Sequence, residues 1–172
     1  MLTVGNELPD FAGEALLPSG EFAPIKLSQY RGKWLVLFFY PLDFTFVCPT
    51  EIRGFNELHP EFAKIDTVVL GASVDSVNCH QAWTEHGLGK LAFPLIGDIT
   101  RELTQACGIM SPEGYAERAT FIVNPKGVIE SVTVNSSNVG RSIEETLRVV
   151  QALQAGGLTA CGWKPGQPLL KA

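Results

Sequence analysis

The sequence predicts an α/β sandwich: a mixed central β-sheet flanked by helices, with an irregular C-terminal tail. Three observations predict it. The chain has 172 residues, 45% hydrophobic and 18% charged, the values of a globular domain long enough to bury a core without disulfide staples. Short apolar runs alternate with segments of helical spacing, in the order strand–helix–strand–helix and then hairpin and helix. The final stretch, AGGLTACGWKPGQPLLKA, holds glycine and proline but no periodicity.

The entry segment PDFAGEALLPSGEFAPIKLSQYRGK reads as extended and turn-rich. WLVLFFYP then marks a buried strand by its length and aromatic content, and Pro41 ends it. From about Thr45 to Lys64 apolar residues fall at helical intervals (Phe46, Ile52, Phe55, Leu58, Phe62), with Pro60 predicting a late break or kink. TVVLGASV is the next strand. Asp75 and Ser76 are candidate N-caps for a helix through VNCHQAWTEH that Gly87 can terminate. FPLIGD supplies a short strand and TRELTQACG a short helix. RATFIVNPKGVIESVTV reads as a hairpin turning at Asn124, Pro125, Lys126 and Gly127, and SIEETLRVVQALQ as an amphipathic helix capped by Ser142. This succession makes a thioredoxin-like fold over residues 1–155, followed by a tail over residues 156–172 that docks on something.

A net charge of −5 argues against nucleic acid or an anionic membrane as a partner, because phosphate binding needs clustered Lys and Arg. MLTVGNELPDF has neither a basic region nor a signal-peptide apolar core, and the longest apolar run is too short to span a bilayer. The expectation is a cytoplasmic protein with its four cysteines reduced. A pair that oxidises there does so as chemistry.

One of these cysteines interrupts the pattern, in FFYPLDFTFVCPTEI, where the strand gives way to a helix. Pro49 biases Cys48 away from the αR region and itself favours the first helical position, so Cys48 is expected at, or within the first turn of, a helix N-terminus. The positive end of the dipole and the unpaired N–H groups there favour a thiolate over a thiol. Thr45 is read one helical turn earlier, its hydroxyl within reach of the sulfur or an incoming oxygen. CPTE lacks the second cysteine of a Cys-x-x-Cys motif, so any resolving thiol has to come from elsewhere. A lone cysteine in such a domain is ordinarily packing. Here the pattern Pro41-x-x-x-Thr45-x-x-Cys48 turns the reading toward reactivity.

That stretch resembles the peroxidatic-site signature of the peroxiredoxins, specifically the typical two-cysteine branch that includes the bacterial alkyl hydroperoxide reductase C component. The likeness continues in order through ASVDS, HQAW, RATFIVNPKGVI, VGRSIEETLRVVQALQ and CGWKPG. It implies a thiol-dependent peroxidase that reduces hydrogen peroxide and alkyl hydroperoxides through a sulfenic acid on Cys48, with no cofactor and no metal. Thr45 matches the threonine that holds the peroxide, Pro41 the proline that shields the thiolate, and Arg118 the arginine beside it. Glu51 and Arg141 match the outer pair that orients this arginine. Without the resemblance, Arg118 is a strand-end arginine on one face with Thr120 and Ile122, and Glu51 and Arg141 are surface charges.

Cys161 matches the resolving cysteine, which the resemblance places in the partner subunit of an intersubunit disulfide. A homodimer assembling into a ring, commonly a decamer, is implied in the same way, as is recycling by thioredoxin or a flavoprotein disulfide reductase. The sequence departs from the pattern at ACGW, where relatives carry VCPAGW, and at HGLG (86–89), where overoxidation-sensitive members carry Gly-Gly-Leu-Gly. It also stops at GQPLLKA without their C-terminal Tyr-Phe helix, so an overoxidation-resistant, bacterial-type enzyme is expected. A ring-forming holdase chaperone, a thioredoxin-like disulfide oxidoreductase and a one-cysteine peroxidase resolved by an external thiol are the alternatives.

Cys79 and Cys107 read as structural thiols in helices. His59, His80 and His86 read as ordinary surface or core residues, since an ionised thiol needs no base, and no metal-ligand spacing accompanies Cys79–His80. Trp163, beside Cys161, is expected to anchor the tail. Phe44, Phe46 and Val47 suggest an apolar entrance.

Overall fold

The run WLVLFFYP forms the central strand β3 (Trp34–Phe39) of the computed structural model, which describes residues 1–171. Leu35, Leu37 and Phe39 enter one core, while Val36, Phe38 and the following Tyr40 enter the other. Period-two alternation between two buried faces is what a continuous apolar run encodes. Around β3, the strands β1 (Ala12–Leu16), β2 (Phe22–Lys26), β4 (Thr67–Ser73), β5 (Leu95–Gly97), β6 (Arg118–Val123) and β7 (Ile129–Asn135) complete one sheet. Its order is β2-β1-β5-β4-β3-β6-β7, with β3, β4 and β5 parallel and the outer pairings antiparallel. The sheet is mixed, as expected, and the fold is thioredoxin-like.

The first core is covered by α3 (Glu102–Cys107) and the N-terminal segments. The second is covered by α1 (Cys48–Lys64) and α4 (Ile143–Gln154), with Trp83 at the end of α2 (Val77–Trp83). Phe55 of α1 stacks on Phe38 with ring centroids 4.1 Å apart. Ser76 and Ser142 cap α2 and α4, each accepting a hydrogen bond from the backbone N–H three residues on. The β6–β7 hairpin turns where expected, with Gly127 at φ +87 and Asn124 Oδ1 accepting from the N–H groups of Lys126 and Val128.

Several expectations give way. The entry segment contains the β1–β2 hairpin, closed by Leu17 N–H donating to Glu21 O, which its short strands with Gly13 and Pro24 concealed. The helix expected from Thr45 starts at Cys48, after a loop in which the backbone turns left-handed at Phe44 (φ +54) and the Thr45 hydroxyl donates to Leu42 O. It then runs through Pro60 to Lys64 without ending. Pro60 is exposed, so the ring and the lost hydrogen bond face water while Phe62 is held in the core. Regular helix in α2 stops at Trp83, and the helical backbone that continues through Thr84 breaks at His86 and Gly87, where Gly87 was expected to end it, before Gly89 N–H closes the segment on Thr84 O.

Candidate active site

The loop from Tyr40 to Val47 leads from β3 to Cys48, the first residue of α1. Val47 offers no side-chain cap, so the leading N–H groups of α1 are not taken up by a capping side chain. Cys48 is 1% exposed, packed with Ile52 and Phe55 in the second core.

Arg118, at the start of β6, reaches it. Its Nη1 donates to Cys48 Sγ at 3.6 Å and to Glu51, and its Nη2 donates to the Ser137 carbonyl at 2.6 Å. Arg118 Nε is buried without a partner among the described residues. Glu51, one turn into α1, accepts from the Nε and backbone N–H of Arg141 at 2.9 Å each. Arg141 in turn donates to Ala119 O and Thr120 Oγ1 at 2.8 Å, and to Phe39 O, tying β3 and β6 to α1. Burial pulls the Arg141 pKa below the usual arginine value, and Glu51 opposes the shift. One carboxylate and two guanidiniums leave the buried cluster beside the Cys48 sulfur with one positive charge in excess.

The structure thus brings Cys48, Glu51, Arg118 and Arg141 into one hydrogen-bonded cluster. Pro41 is buried in the loop ahead of them. Thr45 stands outside α1, half-buried, with its hydroxyl donating to Leu42 O at 2.9 Å; it is not a helical turn from Cys48 as the spacing suggested. Cys161 is exposed on the tail, apart from the cluster, and Trp163 is buried as expected of an anchor.

A second set of buried groups went unread. Asp43 accepts from Tyr40 OH at 2.9 Å and faces His80 Nδ1 at 2.7 Å, while its backbone N–H donates to Asp75 Oδ2 at 2.9 Å. His80 Nε2 faces Ile96 O at 3.1 Å, and Ser73 Oγ donates to Asp75 Oδ2 at 2.8 Å. These contacts pin the loop two residues before Thr45 to β4, β5 and α2. His80 is a core residue, as one reading had it, but it anchors the loop that carries the cysteine. The available signal was Asp43 itself, a carboxylate between the apolar Leu42 and Phe44. Burial and then Asp43 push the Tyr40 phenol up. Cys79 is pushed up to about 12 by burial and the carboxylates of Asp43 and Asp75, and Cys107 to about 12 by burial and Asp98.

A buried single thiol facing a guanidinium at a helix start on a thioredoxin-like sheet is the equipment of a cysteine-based redox enzyme. The profile of the AhpC/TSA family matches residues 4–132, and the chain belongs to that family, the peroxiredoxins. It is 49% identical to "2-Cys peroxiredoxin BAS1, chloroplastic" of Hordeum vulgare, over 98% of this chain and 85% of that one. It is 46% identical to "Putative peroxiredoxin YkuU" of Bacillus subtilis, over 97% of both. The crystal structure of reduced Plasmodium vivax 2-Cys peroxiredoxin is similar at a TM-score of 0.94 and 32% identity, covering 98% of this chain and 92% of that one. No described helix is long and apolar enough to cross a membrane.

Proposed function

We propose that this peroxiredoxin reduces hydrogen peroxide and alkyl hydroperoxides at Cys48 and completes each cycle through a disulfide with Cys161 of the partner subunit. The observation that carries the reading is the Arg118 guanidinium, held by Glu51 and Ser137 so that Nη1 meets the Cys48 sulfur. The thiolate attacks one peroxide oxygen; an S–O bond forms as the O–O bond breaks. The leaving oxygen takes the electron pair and a proton and departs as water or alcohol, so the sulfur loses two electrons and the peroxide gains them. Negative charge grows on that oxygen, and the unpartnered Arg118 Nε–H is a donor available to it. The Thr45 hydrogen is committed to Leu42 O, which leaves its oxygen to accept the hydroperoxide O–H. Pro41, buried beside the loop, keeps water from the sulfur.

The Cys161 thiol then attacks the sulfenic acid: the S–S bond forms, the S–O bond breaks and water leaves. Because Cys48 is buried, the first turn of α1 has to open for the two sulfurs to meet. A dithiol reductase, thioredoxin or a flavoprotein, returns both thiols. No cofactor enters these steps. Two surfaces support a ring of dimers. Beyond Ile129, whose backbone pairs with Gly5 and Asn6, the outer edge of β7 carries no further strand and is free of proline. On the active-site loop, Leu42, Phe44 and Phe46 expose apolar area, with Phe44 5.8 Å from the ring of Trp83. Cytoplasm is the compartment that suits four free thiols.

Non-reducing electrophoresis and intact mass after one equivalent of peroxide test this on wild type, Cys48→Ser and Cys161→Ser. Wild type should become a disulfide-linked dimer, Cys161→Ser a monomer with a trappable sulfenic acid, and Cys48→Ser should stay reduced. A wild type that stays monomeric and sulfenylated would remove Cys161 from the cycle.

A further inference from the structure

We propose that Asn135 is a positioning residue for the peroxidase reaction: it closes residues 136–140 into a loop whose Ser137 carbonyl keeps the Arg118 guanidinium turned toward the Cys48 sulfur. The proposal rests on the reading of Arg118 and Cys48 above. Two groups hold the terminal nitrogens of Arg118, Glu51 at Nη1 and Ser137 O at Nη2, and only Glu51 does so through a side chain. With the Nη1 anchor alone the flat guanidinium can pivot, and the unpartnered Nε–H swings with it. Anchors on two nitrogens fix its plane. The position of the Ser137 carbonyl therefore belongs to the geometry of the site.

Packing does little to set that position, because residues 136–140 are all exposed. Their two ends are tied. Asn135, the last residue of β7, pairs with Arg118 in the β6–β7 ladder, and the Arg141 N–H donates to Glu51 Oε1 at 2.9 Å. Between the ties the chain turns back on itself, Val139 N–H donating to Ser136 O at 2.9 Å and Ser136 Oγ to Asn138 Oδ1 at 2.7 Å. Asn135 then gathers the far side of the loop, its Nδ2 donating to both Val139 O and Gly140 O at 3.4 Å. At that length each bond is weak alone, and the amide works by spanning the two carbonyls together. Directly paired residues of a ladder present their side chains on one face, so the amide that closes the loop shares a face with the guanidinium that the loop holds. Asn135 acts through the loop and Arg118 rather than on the sulfur itself.

The test is rapid mixing of reduced wild type, Asn135→Ala, Asn135→Asp, Asn138→Ala, Thr133→Ala and Arg118→Lys with one equivalent of hydrogen peroxide over a pH series. Acid-quenched intact mass reads the loss of the reduced chain, which reports the first oxidation whatever follows it. A reacting group misplaced by about 1 Å can cost on the order of 100-fold, and a loosened carbonyl still holds its place part of the time, so Asn135→Ala should be oxidised about tenfold more slowly. The midpoint of its pH–rate profile should move up, because the sulfur loses its steady cation. Asn135→Asp keeps the shape but sets a carboxylate against two carbonyls, and should be slower still. Asn138→Ala loses only the bond from Ser136 and should fall between Asn135→Ala and wild type. Thr133→Ala, on the same face of β7, should match wild type; an equal slowing there would mean a general disturbance of the strand and overturns the proposal. A merely structural role would lower the urea midpoint of Asn135→Ala and leave its rate and pH profile unchanged, which also overturns it, as does a wild-type rate in Asn135→Asp. Should neither Asn135 variant fold, a wild-type rate in Asn138→Ala overturns it. Arg118→Lys separates the two layers: oxidation there at the wild-type rate overturns the reading of Arg118 together with the proposal, whereas a slow Arg118→Lys beside a wild-type Asn135→Ala overturns the proposal alone.

Discussion

Glu51 holds Arg118 with one oxygen and Arg141 with the other, all three side chains buried. Replacing it with glutamine keeps the shape and removes the only carboxylate in the cluster, leaving two guanidiniums without a counter-charge. Breaking a buried pair from one side costs about 3–5 kcal/mol. We expect Glu51→Gln to lose stability of that order in urea unfolding, and kcat/KM for hydrogen peroxide to fall at least tenfold because Arg118 loses its aim at the sulfur. A variant of full activity would show that Ser137 alone fixes the arginine. The remaining thiols behave oppositely. Cys79 and Cys107, held up to about 12, stay protonated and poorly nucleophilic at pH 8, so iodoacetamide should label exposed Cys161 and leave both unmodified in the native protein. Their linkage has a definite sign. Between the ordinary thiol value of 9.0 and about 12, the unfolded chain sheds protons that the folded chain keeps. Their contribution to stability is complete below pH 9 and is lost as pH rises through that window. Cys107→Ala should make the alkaline decline shallower in a pH series of denaturant midpoints; an unchanged slope would refute the assignment.

Helix α1 presents the cysteine, and its placement depends on how closely α4 approaches. A Cβ at Gly54 would lie 2.9 Å from Ile143 Cγ1, inside any normal contact. Gly54→Ala gains about 1 kcal/mol of helix propensity but has to push α4 outward, a strain of about 1–3 kcal/mol. We expect a lower Tm, a larger loss for Gly54→Val, and a parallel fall in peroxidase rate, since α4 is tethered to Glu51 through Arg141. A raised Tm in Gly54→Ala would mean that Ile143 moves aside freely. The same helices show what a sequence reveals. β3, β6, β7 and α4 were legible because their periodicity and caps lie within one short window. The β1–β2 hairpin was not, because Gly13 and Pro24 break its local pattern and its pairing with β5 lies some eighty residues away, an order of separation no window spans. The cluster around Cys48 was legible only through resemblance, since Arg118 lies 70 residues from it and nothing local aims a guanidinium. The Tyr40–Asp43–His80 contacts fall inside the matched stretches FFYPLDFTFVCPTEI and HQAW, but across up to 40 residues of separation only the lone carboxylate of Asp43 signals them.

The whole molecule has two sheet edges, and they are not equivalent. β2 carries Pro24 in its middle, which removes a ladder donor and discourages any strand from adding there. β7, past the Ile129 that the N-terminal segment pairs, runs ESVTVN without proline or lysine and leaves Val134 40% exposed. An open edge of that composition is either an aggregation hazard or an interface. If β7 is the dimer edge, a charge placed on it should divide the assembly while the same charge on β2 should not. We therefore expect Val134→Lys to shift the protein toward monomer in sedimentation velocity, and Ala23→Lys to leave its sedimentation unchanged. If Cys161 acts across subunits, as proposed, a consequence for chemistry follows. Val134→Lys should still form the sulfenic acid at Cys48, because the cluster of Glu51, Arg118 and Arg141 lies within one chain. It should lose disulfide formation in proportion to the dimer lost, and should recover it as protein concentration rises. A monomeric Val134→Lys that still closes the disulfide at a concentration-independent rate would mean that Cys161 reaches Cys48 of its own chain.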